Sequence, residues 1–446
     1  MGANDGMLHA FNATTGAEAF AYVPRQMLTA ATNLKALSEP NVSGVIQKDY
    51  FVDGTAVSAD VYFDGSWRTV LVGSTGRGGD SLFALDITDP GQISEASLLW
   101  DKSYPQLGVT TAKPIITRLN NGKWAVVIGY GYNNSTGRPG LLVLDIETGE
   151  SMVSGDDLEV TTGSGDTGLG QIEGWDYSKN GNTDWFFAGD LQGNIWKFDL
   201  SSNNPNNWAI AYGGGPLYQA EDAAGDPQSI TGGIALGSEP KTGKLWVFFG
   251  TGRYLETPDP QLDDEQSWYG IMDGTALSGR TLLKERILTN VSHSNCTEGR
   301  TVSASAANDM AGFKGWFIDL PDERERIVSS PRLVGTTLVV NSIIPDSNVC
   351  NPEGDGYVMA IDPYHGGRLK YHFFDISGDE SFNQDDGVTE DDEVVELSGV
   401  RFDSMPTEPL FFEDKMAVGL ADTNVVNLDV NTQIRRGRVS WREVDN

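Results

Sequence analysis

The chain has 446 residues, with 31 Lys and Arg against 63 Asp and Glu, a formal net charge of −32. Such a field repels polyanions, so it argues against nucleic acid and anionic membrane surfaces as partners and favours cations and solubility outside the cell. Apolar residues at 39%, with 11 Trp, supply a large core and exclude wholesale disorder, and no apolar run approaches the ~18 residues that would span a bilayer.

The first segment, MGANDGMLHAF, reads as a strand and not as a signal peptide, which suggests a mature or excised region of something longer. It opens a loose repeat. Each unit has an apolar strand, a Gly-rich turn, a second apolar strand ending in Asp or Asn, and another turn. Gly2 to Gly16 is the first unit. A helix is predicted for Pro24 to Leu37, inside an insertion over 24–48. Units follow at Val70 to Gly91, Val126 to Gly149 and Trp185 to Leu200. The next joins VFFGTGRYL, from Val247, to SWYGIMDG through an acidic loop. Another joins LVVNSIIPD, from Leu338, to GDGYVMAIDPYHGG. The last is Pro409 to Val430, preceded by an acidic insertion over 375–397.

Seven units of this kind predict an all-β fold, a seven-bladed and modified β-propeller forming a single domain over 1–446. Their spacing of about 40–70 residues lies at or above the usual blade length. Stacking sheets around an axis gives each blade two neighbours. The 53 glycines, well above the ~7% usual in globular chains, supply the hairpin turns, and the strand-end Asp residues suit Asx turns. The strand 436–444 is expected to complete the first blade and close the ring, leaving no long edge exposed. The two cysteines, Cys296 and Cys350, lie in polar turn-rich segments. They predict one disulfide and passage through an oxidising compartment.

The most specific chemical signal is Asp176-Tyr-Ser178-Lys-Asn180-Gly181-Asn182-Thr-Asp184. Oxygen side chains stand at loop positions 1, 3, 5 and 9, with Gly at 6, as an EF-hand-like calcium loop requires. Asp176, Ser178, Asn180 and Asp184 are the side-chain candidates, with the Asn182 carbonyl at position 7. Position 12 is Phe187, so the bidentate Glu is missing and the predicted affinity is weak, in the ~10⁻⁴–10⁻³ M range. A second loop offers Asp375, Ser377, Asp379, the Ser381 carbonyl, Asn383 and Asp386, with Glu380 where Gly is expected. An Asx-rich turn or a solvated acidic insertion is the bland reading of either loop.

No GxxxxGK[ST], HExxH or GxSxG occurs, so no catalytic residue is assigned. Gly250-Thr-Gly252-Arg-Tyr-Leu255 lacks the third Gly of a dinucleotide loop and reads as a strand-end turn. Among the four histidines none has ligand spacing, and His9, alternating with apolar neighbours, reads as a packed core imidazole.

ANDGMLHAFNATTG, KDYFVDGTA (Lys48 to Ala56), GRGGDSLFALDIT, WDYSKNGNTDWFFAGDLQGNIWKFDL (Trp175 to Leu200), GTGRYL, QSWYGIMD and SWRE together resemble the C-terminal propeller of the PilC/PilY-type type IV pilus biogenesis and tip adhesin family. The resemblance spans nearly the whole chain. It implies a seven-bladed propeller, and a calcium ion after Asp176 that governs pilus extension against retraction. It further implies roles in twitching motility and adhesion, location at the pilus tip or outer cell surface, and partners among pilins, minor pilins, the pilus assembly machinery and a host or surface receptor. The family pattern D-x-[DN]-x-[DN]-x-x-x-D is met by Asp176, Asn180 and Asp184, while Ser178 departs from it. The competing readings are a quinoprotein-like propeller dehydrogenase, disfavoured because the cysteines are not adjacent, and a propeller that binds glycans or a host receptor.

Overall fold

The computed structural model describes residues 1–29, 50–153, 158–161, 167–293, 298–346, 353–390 and 392–434. Cys296, Cys350, most of the insertion predicted over 24–48 and the strand predicted over 436–444 lie outside them. The chain groups into two compact units, Met1–Leu236 with Gly274–Gly279, and Gly237–Asp273 with Arg280–Asn446. Their boundary falls inside the strand Ile234–Ser238 and not at a linker, so no composition shift marks it.

Seven antiparallel strand pairs carry the repeat, six of them within the repeats as read; the first repeat, read as Gly2 to Gly16, stops short of its second strand, Glu18–Tyr22. In the first unit they are Leu8–Phe11 with Glu18–Tyr22, Ser66–Ser74 with Ser81–Asp86, Trp124–Gly129 with Gly140–Asp145, and Trp185–Gly189 with Asn194–Asp199. In the second they are Leu245–Gly250 with Ser267–Met272, Thr337–Ile344 with Asp355–Ile361, and Lys415–Gly419 with Val425–Asp429. Flanking strands widen most pairs into meanders. Val57–Phe63 and Leu98–Ser103 flank the second pair, and Ile115–Arg118 and Leu158–Glu159 the third.

The strand-end residues act as the repeat predicts. Asn12, Asp86, Asp145, Asp199 and Asp362 each accept, through Oδ1, the backbone N–H two residues on, at 2.9–3.0 Å. The side chain thereby completes the turn that the backbone alone leaves open.

Packing explains why the inner strands read as continuous apolar runs and not as alternation. Val126, Ile128, Leu142 and Leu144 pack with Val70, Val72 and Leu82 of the preceding sheet. Their chain neighbours Ala125, Val127, Leu141 and Val143 pack with Phe186, Ala188 and Phe198 of the following sheet. Both faces of the third sheet are therefore buried, and each such Val or Leu contributes roughly 1.5–3 kcal/mol relative to exposure. The second sheet is closed on its far side by Leu8, Met27, Phe51 and Val52 packing on Phe83 and Leu85. In the second unit, Val339, Val358, Ala360 and Val400 pack with Met416 and Val418 of the last sheet.

Helix is sparse among the described residues. Of the helix predicted for Pro24 to Leu37, Arg25–Thr29 is helical and 30–37 lie outside the described residues. The acidic insertion is not simply solvated: it forms a 3₁₀ turn, Gln384–Asp386, and a hairpin of Gly387–Glu390 with Glu393–Glu396, with Asp386 only 1% exposed. Gly250 ends its strand and Gly252 takes φ +131°, the expected strand-end turn.

His9 departs from expectation. Its side chain stands between two carboxylates, Nδ1 at 2.6 Å from Glu18 and Nε2 at 2.8 Å from Asp5. The alternation that suggested an apolar setting holds for its neighbours, but this strand lies at an edge where acidic side chains reach across. The hydrogen bond to Glu18, then that to Asp5, raises its pKa above the ordinary 6.5.

Candidate metal centre

The loop from Asp176 to Asp184 connects Glu173–Trp175 to Trp185–Gly189, two paired strands of the fourth sheet. Its ends are pinned by backbone bonds: Asp184 N–H donates to Trp175 O at 2.9 Å, and Leu200 N–H donates to Asp184 O at 2.8 Å. Between them the chain must turn sharply, and Gly181 does so at φ +84°, a conformation that costs glycine no steric clash.

The predicted donors converge. Asp176 Oδ2 accepts the N–H of Gly181 at 2.8 Å, and Oδ1 accepts that of Asn180 at 3.2 Å. Ser178 touches both carboxylates, its N–H donating to Asp184 Oδ2 at 2.7 Å and its hydroxyl lying 3.5 Å from Asp176 Oδ1. Asn180 Oδ1 accepts the N–H of Asn182 at 2.8 Å. Asp184 is 3% exposed, so the positions 1 and 9 acids sit on opposite sides of one short turn, one of them fully removed from water.

One residue of the site was not read from the sequence. Asn120 lies in the hairpin turn of the neighbouring third sheet, between Ile115–Arg118 and Trp124–Gly129. Its amide donates to Asp184 Oδ1 at 2.7 Å, and its carbonyl oxygen accepts from Asn180 Nδ2 at 3.0 Å and Asn182 Nδ2 at 3.3 Å. Arg118 O also accepts the N–H of Thr183 at 3.0 Å, and the Thr117 and Thr183 hydroxyls are 2.7 Å apart. Asn120 lies in an Asn-Asn-Gly turn whose composition explains a hairpin and nothing more, so only the stacking of the sheets reveals it.

The fit to a cation rests on one observation. Asn182, expected to offer its backbone carbonyl, also has a buried side-chain oxygen, Oδ1, with no hydrogen-bond donor among the described residues. A buried amide oxygen without a donor costs about 1–3 kcal/mol, and a hard cation is the partner that such an oxygen, two carboxylates and a hydroxyl jointly suit. The donor chemistry excludes the softer metals. Among the described residues no three His, Cys, Asp or Glu side chains gather as a metal cluster, so a cation here would rest on Asp176 and Asp184 with neutral oxygens from Ser178, Asn180 and Asn182.

The second loop repeats this wiring. Asp375 Oδ2 accepts the N–H of Glu380, its position 6, at 2.8 Å. Ser377 N–H donates to Asp386 Oδ1 at 2.9 Å, and the Ser377 hydroxyl lies 3.2 Å from Asp375 Oδ1. Asp379 Oδ1 accepts from Ser381 N–H and Asn383 Oδ1 from Asp385 N–H, both at 2.8 Å. Glu380 is held at φ +61°, the strain expected where glycine is absent. Here every acceptor named has a donor within the loop.

Beside the first loop, Tyr177 stacks on Trp185 with centroids 4.2 Å apart, and Lys197 Nζ lies 3.3 Å from the Trp185 ring centroid. The loop is thus clamped to the sheet by an aromatic pair as well as by its backbone.

The model of the PilY1 beta-propeller domain family matches residues 1–290. The chain belongs to that family. It is 38% identical over its full length to a "Type IV pilus biogenesis factor PilY1 homolog" of Xylella fastidiosa, of which it covers 35%. It is 32% identical, again over its full length, to the type IV pilus biogenesis factor PilY1 of Pseudomonas aeruginosa strain PAO1, of which it covers 41%. The chain therefore spans little more than a third of the curated relatives it matches. The crystal structure of the Pseudomonas aeruginosa PilY1 C-terminal domain superposes with a TM-score of 0.76 at 32% identity, covering 97% of this chain and 91% of that one. The all-β propeller class read from the repeat is thereby shown.

Proposed function

We propose that this chain is the calcium-binding C-terminal propeller of a type IV pilus biogenesis and tip protein, acting at the cell surface to bias pilus extension against retraction. The observation that carries the metal is the orphaned, buried Asn182 Oδ1, on the same nine-residue loop as Asp176, Ser178, Asn180 and Asp184. Bound calcium would supply charge neutralisation between the two acids. The chain's own residues set the readout: Ser178 ties both carboxylates together, and Asn120 ties the loop to the neighbouring sheet. With the acids uncompensated, their repulsion loosens this tie and changes the surface around Tyr177, which is 61% exposed. A pilin, minor pilin or assembly partner that distinguishes the two surfaces by about 1–3 kcal/mol would bind 5–150-fold differently. Twitching motility and adhesion to a receptor follow as outputs of that choice.

Two relatives that are type IV pilus biogenesis factors support the pilus assignment, and none of the motifs supports catalysis. The second loop is proposed as an auxiliary calcium site on its shared wiring. Isothermal calorimetry with CaCl₂ tests the main site. Saturable heat that disappears in Asp184→Ala is expected, and no heat at about 10 mM calcium, well above the affinity range of weak loops, overturns the reading.

A further inference from the structure

The second unit holds a cavity of about 490 Å³ with Lys241, Lys370 and His365 in its lining, a volume in the range that takes small molecules. Lys241 lies in the turn that follows Glu239, and His365 and Lys370 belong to the segment after the strand Asp355–Ile361. The rest of the lining is a loop over 305–311, with Ala306 and Ala311 beside Asn308 and Met310. Arg286, 3% exposed, fixes both walls at once: Nη1 donates to Asp309 at 2.7 Å and Nε to His365 O at 2.8 Å. Asp309 in turn accepts the N–H of Ala306 at 3.0 Å. A buried guanidinium thus ties together two of the loop segments that line an otherwise open cleft.

Its charges are unevenly committed. The two lining carboxylates serve their own turns. Glu239 accepts from the Thr242 hydroxyl at 2.5 Å. Asp362 Oδ1 accepts from the N–H of Tyr364 at 2.9 Å, the N–H of His365 at 3.1 Å and His365 Nδ1 at 3.1 Å. The cations are not so engaged. Neither Lys241 nor Lys370 forms an ion pair with a described residue. Asp362, through its hydrogen bond to Nδ1, raises the His365 pKa; burial and Lys241 oppose this and Asp309 assists. In a chain of net charge −32, an open cleft that gathers the exposed Lys241 and Lys370 beside His365, against two carboxylates already engaged in their own turns, is a local relief from the negative field.

We infer that this cavity binds a small organic anion, with a carboxylate or phosphate group held by Lys241, Lys370 and His365 and a sugar-sized body resting on the Ala306 and Ala311 wall. An acidic monosaccharide at the end of a glycan matches the size and polarity, and a free sugar phosphate presents the same chemistry. The site is independent of the calcium loop, which lies in the other unit.

The test is a titration of the whole chain, by calorimetry or ligand-observed NMR, with glucuronate, glucose, inorganic phosphate and glucose 6-phosphate as probes. Glucuronate or glucose 6-phosphate is expected to bind at least about tenfold more tightly than glucose, a difference of about 1.4 kcal/mol. The double variant Lys241→Gln/Lys370→Gln should lose that preference while keeping the parent's denaturation midpoint. Preference for glucuronate over the phosphate ester assigns the carboxylate source, and the converse assigns the phosphate source. Equal affinity for glucuronate, glucose 6-phosphate and glucose, binding of inorganic phosphate alone, or binding unchanged in the double variant overturns the inference. Each of these readouts is independent of calcium, so failure here leaves the metal reading standing.

Discussion

Replacing Asp184 by alanine separates the fold's dependence on this residue from its dependence on calcium. Asp184 is 3% exposed and accepts two bonds, from Ser178 N–H and Asn120 Nδ2, each at 2.7 Å. Truncation leaves both donors without a partner, at about 1–3 kcal/mol for each. Part of that returns as the loop relaxes into water, so a loss of about 2–4 kcal/mol is expected in chelator. Calcium adds a second quantity. For a dissociation constant of ~10⁻⁴–10⁻³ M, about 10 mM calcium stabilises the parent by roughly 1.4–2.7 kcal/mol through mass action. Denaturant unfolding of parent and variant, each with chelator and with calcium, yields all four values. The parent should gain and the variant should not. A variant that keeps the parent's calcium increment, or a parent with none, refutes the role given to this residue.

Other outcomes follow from the same contacts. Asn120→Ala should weaken calcium binding about 10–100-fold, as loss of a ligand-orienting neighbour does, without removing any proposed ligand; calorimetry measures it. Glu380→Gly should stabilise the second unit by about 1 kcal/mol by relieving the φ +61° backbone, seen as a raised denaturation midpoint. Leu142→Ala, fully buried between two sheets, should cost about 2–5 kcal/mol in the same assay. His9 should titrate above its ordinary 6.5 by NMR, and Glu18→Gln should bring it down. Because its folded pKa is raised, its contribution to stability is full below 6.5 and fades as pH rises through the folded value.

How much of this was legible in the sequence depended on how local the cause was. Six of the seven strand pairs were legible because each consists of two apolar runs joined by a nearby turn, and the Asx residues that close the turns act two positions away; the first repeat was read as ending at Gly16, before its second strand. The turn from Asp176 to Asp184 was legible for the same reason, since Asp176 and Gly181 act within it. Asn120 was not, because it reaches the loop only after the third and fourth sheets have stacked. Nor was the six-stranded sheet of the second unit, where Gly399–Phe402 inserts between Gly299–Val302 and Asp355–Ile361. There the 0%-exposed Arg300 pairs with Glu325 at 2.5 Å and with Asp322 at 2.8 Å. A charged residue in an alternating strand reads as surface until its partners are known. The unit boundary inside a strand left no compositional trace. His9 looked apolar by position and proved to be held by two acids.

Asn120 has a mechanical corollary. The amide that grips Asp184 grows from one sheet and the nine-residue loop from the next, so the two sheets cannot shear past each other without prising the loop apart. Tension across that seam would open the oxygen cage proposed to hold calcium, so that cage and the resistance to sliding would fail together, making the loop a latch whose release is felt as slack.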